Sequence, residues 1–131
     1  MIDLLLELKQ RCKFEEELGE VMNLNEKELT FLSAIAENKE ISSKALSEKS
    51  GLSPSRSSRV LSGLSAKGLL IISHDENDRR LINLNLTEEG CRCVAGLVKE
   101  KSRCEQELVA KLSEDEKETV LNGLKILLNK I

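Results

Sequence analysis

The stretch SPSRSSRVLSGLSAKG, residues 53–68, decides the fold of this chain. Serine before proline is a strong helix start, because the serine oxygen accepts hydrogen bonds from unpaired backbone amides and proline has no amide to leave unpaired. Gly68 can end the helix, since glycine adopts the left-handed backbone that closes helices. The stretch therefore predicts a helix from Ser53 to Lys67.

This predicted helix has an apolar face and an opposite face that is polar and basic. At 100° per residue, Val60, Leu61 and Leu64 share the buried arc. Short polar side chains let a helix enter the DNA major groove, where hydroxyl and guanidinium groups reach phosphates and base edges. We therefore predict a DNA-reading helix, with a serine-rich solvated helix as the alternative. The predicted contact residues on this helix are Ser53, Ser55, Arg56, Ser58, Arg59 and Ser62.

Capping residues divide the chain before this helix into three further helices. The first helix is predicted from about Asp3 to Met22 on its broad apolar surface. Asn25, with Glu28 three residues later, resembles a capping box and begins a second helix. Ser42 can cap a third helix that ends at Gly51. The residues expected in the core from the second helix are Leu29, Leu32, Ile35 and Ala36.

A hairpin and two helices are predicted after residue 68. Residues 69–72 and 81–86 read as strands, because Ile82, Leu84 and Leu86 alternate with asparagines at period two. The loop Ser73 to Arg80 is too long for a tight turn and is expected to project from the body. Thr87 can cap a long helix, and Ser113 with Glu116 forms a capping box before the last one. The fold class is mainly α with a small β-hairpin.

Composition and charge indicate one domain with a basic middle. The 131 residues are 40% hydrophobic, enough for a single core without disulfides. The net charge is −3, but residues 39–86 hold eight basic and five acidic side chains. This local excess suits a nucleic-acid partner. The apolar start of the chain is interrupted by Asp3 and Glu7, so we expect neither a signal peptide nor a membrane span, and a cytoplasmic location.

The terminal helices carry more leucine than one small domain can cover. Exposed apolar surface of that extent indicates a partner, and a two-fold homodimer is the commonest solution. We therefore predict a dimer that binds a pseudo-palindromic duplex, with two reading helices about 34 Å apart.

The middle of the chain resembles the MarR type of winged-helix regulators. The residues that carry the resemblance are Leu46 to Leu52, Ser53 to Leu61, Leu64 to Leu70, Asp78-Arg79-Arg80, and Leu84 to Gly90. The resemblance implies a winged helix-turn-helix domain over residues 1–131, with a DNA-binding lobe at 25–86 and dimerisation helices at 1–24 and 87–131. It also implies a transcription regulator, which we expect to be a repressor.

The triplet Asp78-Arg79-Arg80 is predicted to lie in the wing, the loop of the hairpin. Asp78 can pair with one arginine and stabilise the loop, which leaves the other for a minor groove whose narrow A·T tracts concentrate negative potential. An ordinary charged loop is the alternative. The single histidine, His74, is expected to belong to the wing rather than to a metal site.

Three roles stay open for the cysteines at positions 12, 91, 93 and 104. They are inert thiols, a redox switch, or ligands of a metal or cluster. On one straight helix Cys91 and Cys93 lie about 200° apart and Cys104 about 16 Å beyond Cys93, so these three cannot chelate one ion. The peroxide-sensing branch of the family pairs cysteines from similar helices, which implies that Cys12 on the first predicted helix and Cys104 on the fifth approach each other across the dimer. This sequence departs from that branch, because it has no tyrosine to hydrogen-bond a reactive thiolate.

The resemblance also implies an effector crevice between the dimer helices and the DNA-binding lobe. Cys12, Leu29 and Cys91 are the expected neighbours there, and few polar donors would orient a ligand. We therefore favour oxidation or a thiophilic ion over a small organic effector. No nucleophile elbow, phosphate loop or histidine pair supports enzymatic activity, and we expect no cofactor and no metal. A winged helix that binds protein instead of DNA is the alternative function.

Overall fold

Seven helices and one two-stranded sheet make up the part of the chain described by a computed structural model, which covers the backbone of residues 1–131 and all side chains except those of Phe14 and Glu15. The helices are α1 (Ile2–Arg11), α2 (Phe14–Met22), α3 (Glu26–Glu37), α4 (Ser43–Ser50), α5 (Pro54–Ala66), α6 (Glu88–Val109) and α7 (Glu114–Lys130). The strands are β1 (Leu70–His74) and β2 (Ile82–Leu86), which pair antiparallel. The predicted mainly helical fold with a small hairpin is confirmed.

The predicted caps of α3 to α5 are present in the structure. Asn25 Oδ1 accepts a hydrogen bond from the Glu28 amide at 2.9 Å, and Ser42 Oγ accepts one from the Ala45 amide at 3.0 Å. Ser53 Oγ accepts from the Arg56 amide at 3.3 Å, with Pro54 as the first helical residue. Gly68 has a φ of +74°, the left-handed conformation that the sequence predicts after α5.

The prediction of one continuous first helix is wrong. The chain leaves the helical conformation at Cys12, whose φ and ψ are −87° and 85°, so α1 and α2 are separate helices. Neither glycine nor proline marks this point, and α1 has no buried residue. Packing therefore supplies nothing that would favour a continuous helix, and propensity alone is a weak determinant at this length.

The core of the first compact unit, residues 1–97, lies between α3, α4, α5 and the hairpin. Phe31, Leu32, Leu46 and Leu64 are almost completely buried. Ile72, Leu84 and Leu86 contribute the inner face of the hairpin, in a register that pairs Leu70 with Leu86. Of the predicted α3 core residues, Leu29, Leu32 and Ile35 are buried and Ala36 is half-buried.

The hairpin is joined to α6 by a close backbone contact. Thr87 Oγ1 donates a hydrogen bond to the Gly68 carbonyl at 2.6 Å and accepts one from the Gly90 amide at 3.0 Å. A Cβ atom added at Gly90 would lie 2.1 Å from the Leu69 carbonyl oxygen. Only glycine therefore fits at this position, and the Leu-Thr-Glu-Glu-Gly sequence fixes the base of the hairpin.

The second compact unit, residues 98–131, contains the end of α6 and the whole of α7. The predicted capping box of α7 is present, since Ser113 accepts from the Glu116 amide and the Glu116 carboxylate accepts from the Ser113 amide. No residue of α7 is buried. Its exposed apolar residues are Val120, Leu121, Leu124, Ile126 and Leu128.

Candidate DNA-binding surface

The outer face of α5 carries every helix residue that the sequence predicts to contact DNA. Its core-facing residues Leu61 and Leu64 pack against α3 and α4 and set the rotation of the helix. The opposite side is exposed along the whole helix and consists of Ser53, Ser55, Arg56, Ser58, Arg59 and Ser62. Neither Arg56 nor Arg59 has an acidic partner within 4.0 Å among the described side chains. These guanidinium groups are therefore available to an anionic ligand.

Ser57 within α5 and Lys67 directly after it differ from the prediction of one polar and one apolar face. Ser57 is completely buried, and its hydroxyl makes no hydrogen bond among the described groups. Lys67, at the end of the helix, directs its ammonium group towards Glu28 at 2.9 Å. The Lys67 ammonium group therefore does not add to the basic outer face.

The loop between the strands, residues 75–81, is stabilised by aspartate side chains. Asp75 Oδ1 accepts hydrogen bonds from the amides of Asn77 and Asp78 at 2.8 and 3.3 Å. Asp78 Oδ1 accepts from the Arg80 amide at 3.0 Å and pairs with Arg80 Nε at 3.2 Å. Both acids thus organise the loop, and the Arg80 guanidinium offsets the charge of the Asp78 carboxylate.

The two wing arginines have different surroundings. Both are exposed, but Arg80 pairs with Asp78, whereas Arg79 has no ion pair among the described residues. The Arg79 carbonyl lies 3.0 Å from Nδ1 of His74, which closes the loop across its base. Arg79 is therefore the guanidinium that the structure leaves available in the wing, and His74 is an exposed wing residue.

The four cysteines are free thiols in different surroundings. Cys12 and Cys91 are exposed, while Cys93 and Cys104 are half-buried. Burial, and to a smaller degree the Glu89 carboxylate, raises the pKa of the Cys93 thiol above its ordinary value. A raised pKa lowers the thiolate fraction, so Cys93 is a poor nucleophile at neutral pH.

The expected crevice neighbours do not line one cavity. Cys12 borders an open cavity of about 680 Å³ together with Glu28 and Lys67. Cys91 borders a different cavity of about 260 Å³ beside Ile35 and Leu86. Leu29 is buried in the core. No cluster of three or more potential metal ligands occurs among the residues that the structure describes.

Within the described chain, no helix combines the length and the apolar character that a membrane span requires.

Known proteins match the part of the chain that carries this surface. A model of the MarR family matches residues 22–81, which include α5 and most of the wing. The chain is 30% identical over 114 residues, 87% of its length, to the uncharacterized HTH-type transcriptional regulator YwaE of Bacillus subtilis strain 168. The match spans 66% of that relative's length.

Solved structures share the fold. The crystal structure of MarR superposes with a TM-score of 0.77 at 21% identity, covering 97% of this chain and 93% of that one. The MepR–DNA complex of S. aureus superposes with a TM-score of 0.78 at 20% identity, covering 98% and 94%. At these identities the likeness establishes the winged-helix fold, and the predicted fold is confirmed. By its name, YwaE is a transcriptional regulator, which agrees with the prediction of a regulator without enzymatic activity.

Proposed function

Because the chain belongs to the MarR family, we propose that it is a transcription regulator that binds duplex DNA in a sequence-specific manner as a homodimer. One observation carries the proposal. The exposed face of α5 presents Arg56 and Arg59 among serines, without acidic partners in the described chain, and the wing presents the similarly unpaired Arg79. Helix and wing would then read the major groove and the adjacent minor groove.

The dimer is proposed from the terminal helices. Both α1 and α7 lack buried residues, and their apolar side chains include Leu4, Leu8, Leu124 and Leu128. Apolar surface of this extent favours burial against a second copy. A symmetric dimer would present two α5 helices to half-sites about one helical turn apart, roughly 34 Å. We further propose repression, because a dimer that covers two half-sites excludes other proteins from that DNA.

Selection of bound duplexes from a random pool tests the proposal. We expect recovery of pseudo-palindromes, bound by the dimer with an affinity that falls steeply with salt, because phosphate contacts release counterions. Recovery of single half-sites bound by monomer would contradict the dimeric arrangement. Absence of duplex binding at low salt would favour the alternative, a winged helix that binds protein.

Regulation by a thiol stays a prediction. Cys12 is exposed. A peroxide, which accepts two electrons and two protons and is reduced to water or an alcohol and water, would oxidise the Cys12 thiol and a cysteine thiol of a second copy to a disulfide, which would change the dimer geometry and release DNA. DNA affinity of reduced and mildly oxidised protein, compared with a Cys12→Ser variant, tests this. Equal affinity of reduced and oxidised parent protein would leave the cysteines as inert thiols.

A further inference from the structure

The end of α5 is connected to a distant part of the chain by one lysine. Lys67 Nζ donates a hydrogen bond to the Asn23 carbonyl at 2.7 Å and one to Glu28 Oε1 at 3.0 Å. It also lies 2.9 Å from Glu28 Oε2, an electrostatic contact without hydrogen-bond alignment. Lys67 thereby joins α5 to the turn between α2 and α3, 39 and 44 residues earlier in the sequence.

The acceptor of this contact is a buried carboxylate. Glu28 is 5% exposed, and its Oε1 also accepts a hydrogen bond from the Asn25 side-chain amide. Lys67 is the only cation within 4.0 Å of Glu28 among the described side chains. A buried charge without a partner is costly, so the energetics favour keeping the ammonium group in place.

Lys67 lies between α5 and the hairpin, the two elements proposed to bind DNA, so its contact can affect the position of both. Lys67 follows the last residue of α5, and β1 begins at Leu70 after the turn at Gly68. The rest of α5 is held by apolar packing through Leu61 and Leu64, which resists separation but is non-directional. Charge-assisted hydrogen bonds have fixed directions. The lysine therefore restricts how a helix about 20 Å long can tilt or slide on the core.

We propose that Lys67 is a positioning residue for DNA binding, which acts by fixing the end of α5 to the α2–α3 turn through Glu28 and Asn23. The inference rests on the proposed function and deepens it. Lys67 touches no DNA in this arrangement; it sets the direction in which Arg56 and Arg59 are presented. Removal of the contact then changes the ratio of affinities for different duplex sequences more than it changes the affinity for the phosphate backbone.

Three variants separate positioning from general stability. Lys67→Met removes the cation and leaves Glu28 uncompensated, so it lowers both stability and DNA affinity. The double variant Lys67→Met/Glu28→Gln removes both charges, so its thermal stability returns towards that of the parent, yet the fixed connection is still absent. Lys67→Arg keeps a charged donor and rescues both properties. Each variant is measured as the full chain.

The first readout needs no DNA. Hydrogen exchange is followed at the last turn of α5, where the Lys67 amide bonds the Gly63 carbonyl and the Leu69 amide bonds the Leu64 carbonyl. We expect exchange there to accelerate by roughly tenfold in both the single Lys67→Met variant and the double variant, the factor that corresponds to about 1.4 kcal/mol, with little change in α4. Unchanged exchange at these amides would overturn the connection itself.

The second readout is discrimination between duplexes. The ratio of affinities for the selected site and for the same half-sites with two extra base pairs between them is expected to fall about tenfold in the double variant. Lys49→Met is the matched control, because Lys49 pairs with Glu37 at 4.0 Å and both side chains are exposed. An unchanged ratio in the double variant would overturn the positioning role. A parent that binds no duplex DNA would contradict the proposed function, while the exchange result would still decide whether Lys67 fixes α5.

Discussion

Arg79 and Arg80 are neighbours in sequence, but the structure gives them different surroundings. Asp78 accepts from the Arg80 amide and pairs with its guanidinium, so Arg80 is part of the loop that it belongs to. The sequence predicted that Asp78 would pair with one arginine, but could not determine which, because the two residues share the same local pattern. The side chains of Asp75 and Asp78 accept hydrogen bonds from the amides of Asn77 and Arg80, and these bonds set the geometry of the loop.

Substitution of arginines should separate the roles of helix and wing. Arg59→Ala is expected to weaken binding to the preferred site most, by about 1 to 3 kcal/mol, if it contacts a base edge. Arg79→Ala should lower affinity for all duplexes alike and reduce the salt slope by about one. Arg80→Ala should have a smaller effect than Arg79→Ala, because its guanidinium is partly engaged by Asp78. Fluorescence anisotropy at several salt concentrations measures each effect.

Arg103→Ala is the control for these substitutions, since Arg103 pairs with Glu100 and Glu107 on its own helix. Equal affinity of the folded Arg59, Arg79 and Arg80 variants with the parent would remove these residues from the proposed interface.

Two cysteines on α6 should differ in reactivity. Cys91 is exposed, whereas Cys93 is half-buried and has a raised pKa. Because alkylation requires the thiolate, Cys93 should react more slowly than Cys91 at neutral pH, and its rate should rise only at a higher pH than that of an ordinary thiol. Mass spectrometry after timed iodoacetamide treatment measures both rates. The two thiols should react alike in urea, and equal rates in the folded protein at pH 7 would refute the assignment.

At the level of elements, local signals predicted the structure well where caps and turns determine it. The starts of α3, α4, α5 and α7 were predicted from their N-cap residues, whose side chains accept hydrogen bonds from the expected amides: Asn25, Ser42, Ser53 and Ser113. The break at Cys12 and the partner of Lys67 could not be predicted. No glycine or proline marks the break at Cys12. The partner of Lys67 depends on a tertiary contact with Glu28, which lies 39 residues away in the sequence.

Two glycine substitutions should have opposite effects on stability. Gly90→Ala is expected to lower the free energy of unfolding by at least about 2 kcal/mol, because its Cβ would collide with the Leu69 carbonyl. Gly63→Ala should raise it by up to about 1 kcal/mol, since the added Cβ meets nothing within 4 Å and alanine is the better helix former. Urea unfolding at one protein concentration measures both. A Gly90→Ala variant as stable as the parent would contradict the close contact at the hairpin base.

At the scale of the whole molecule, α3 to α5 and the hairpin form a buried core, whereas the terminal helices α1 and α7 have no buried residue. In α3 the apolar pattern predicted the buried residues Leu29, Leu32 and Ile35 but not Phe31 or Ala34. The buried polar residues Glu28, Ser47 and Ser57 were not predicted either, and Ser57 is completely buried. A serine among charged and polar neighbours does not resemble a core residue, so its complete burial had no signal in the sequence. The domain boundaries at residues 24 and 87 stay a prediction.

Oligomeric state should depend on α7. Leu121 and Leu128 are seven residues apart on one helix face, and Leu128 is 74% exposed. The double variant Leu121→Glu/Leu128→Glu is expected to sediment as a monomer at concentrations where the parent is a dimer. The melting temperature of the parent should rise with protein concentration, because association stabilises the folded state by mass action.

Ile71→Glu, on the outer face of the hairpin, is the matched control and should remain dimeric. A monomeric parent, or a double variant with unchanged sedimentation, would contradict the role of α7 in association.

The register of the two strands determines where residues can be inserted into or deleted from the chain. An insertion within β1 or β2 would shift the pairing of Leu70 with Leu86 and turn Leu84 from the core to the solvent. Residues 75–81 lie beyond the last pair, His74 with Ile82, so an insertion or deletion there leaves the paired strands in register. Replacement of the wing tip should therefore keep the strands in register, so exchange of this loop can test the proposed minor-groove contact without redesign of the lobe that carries it.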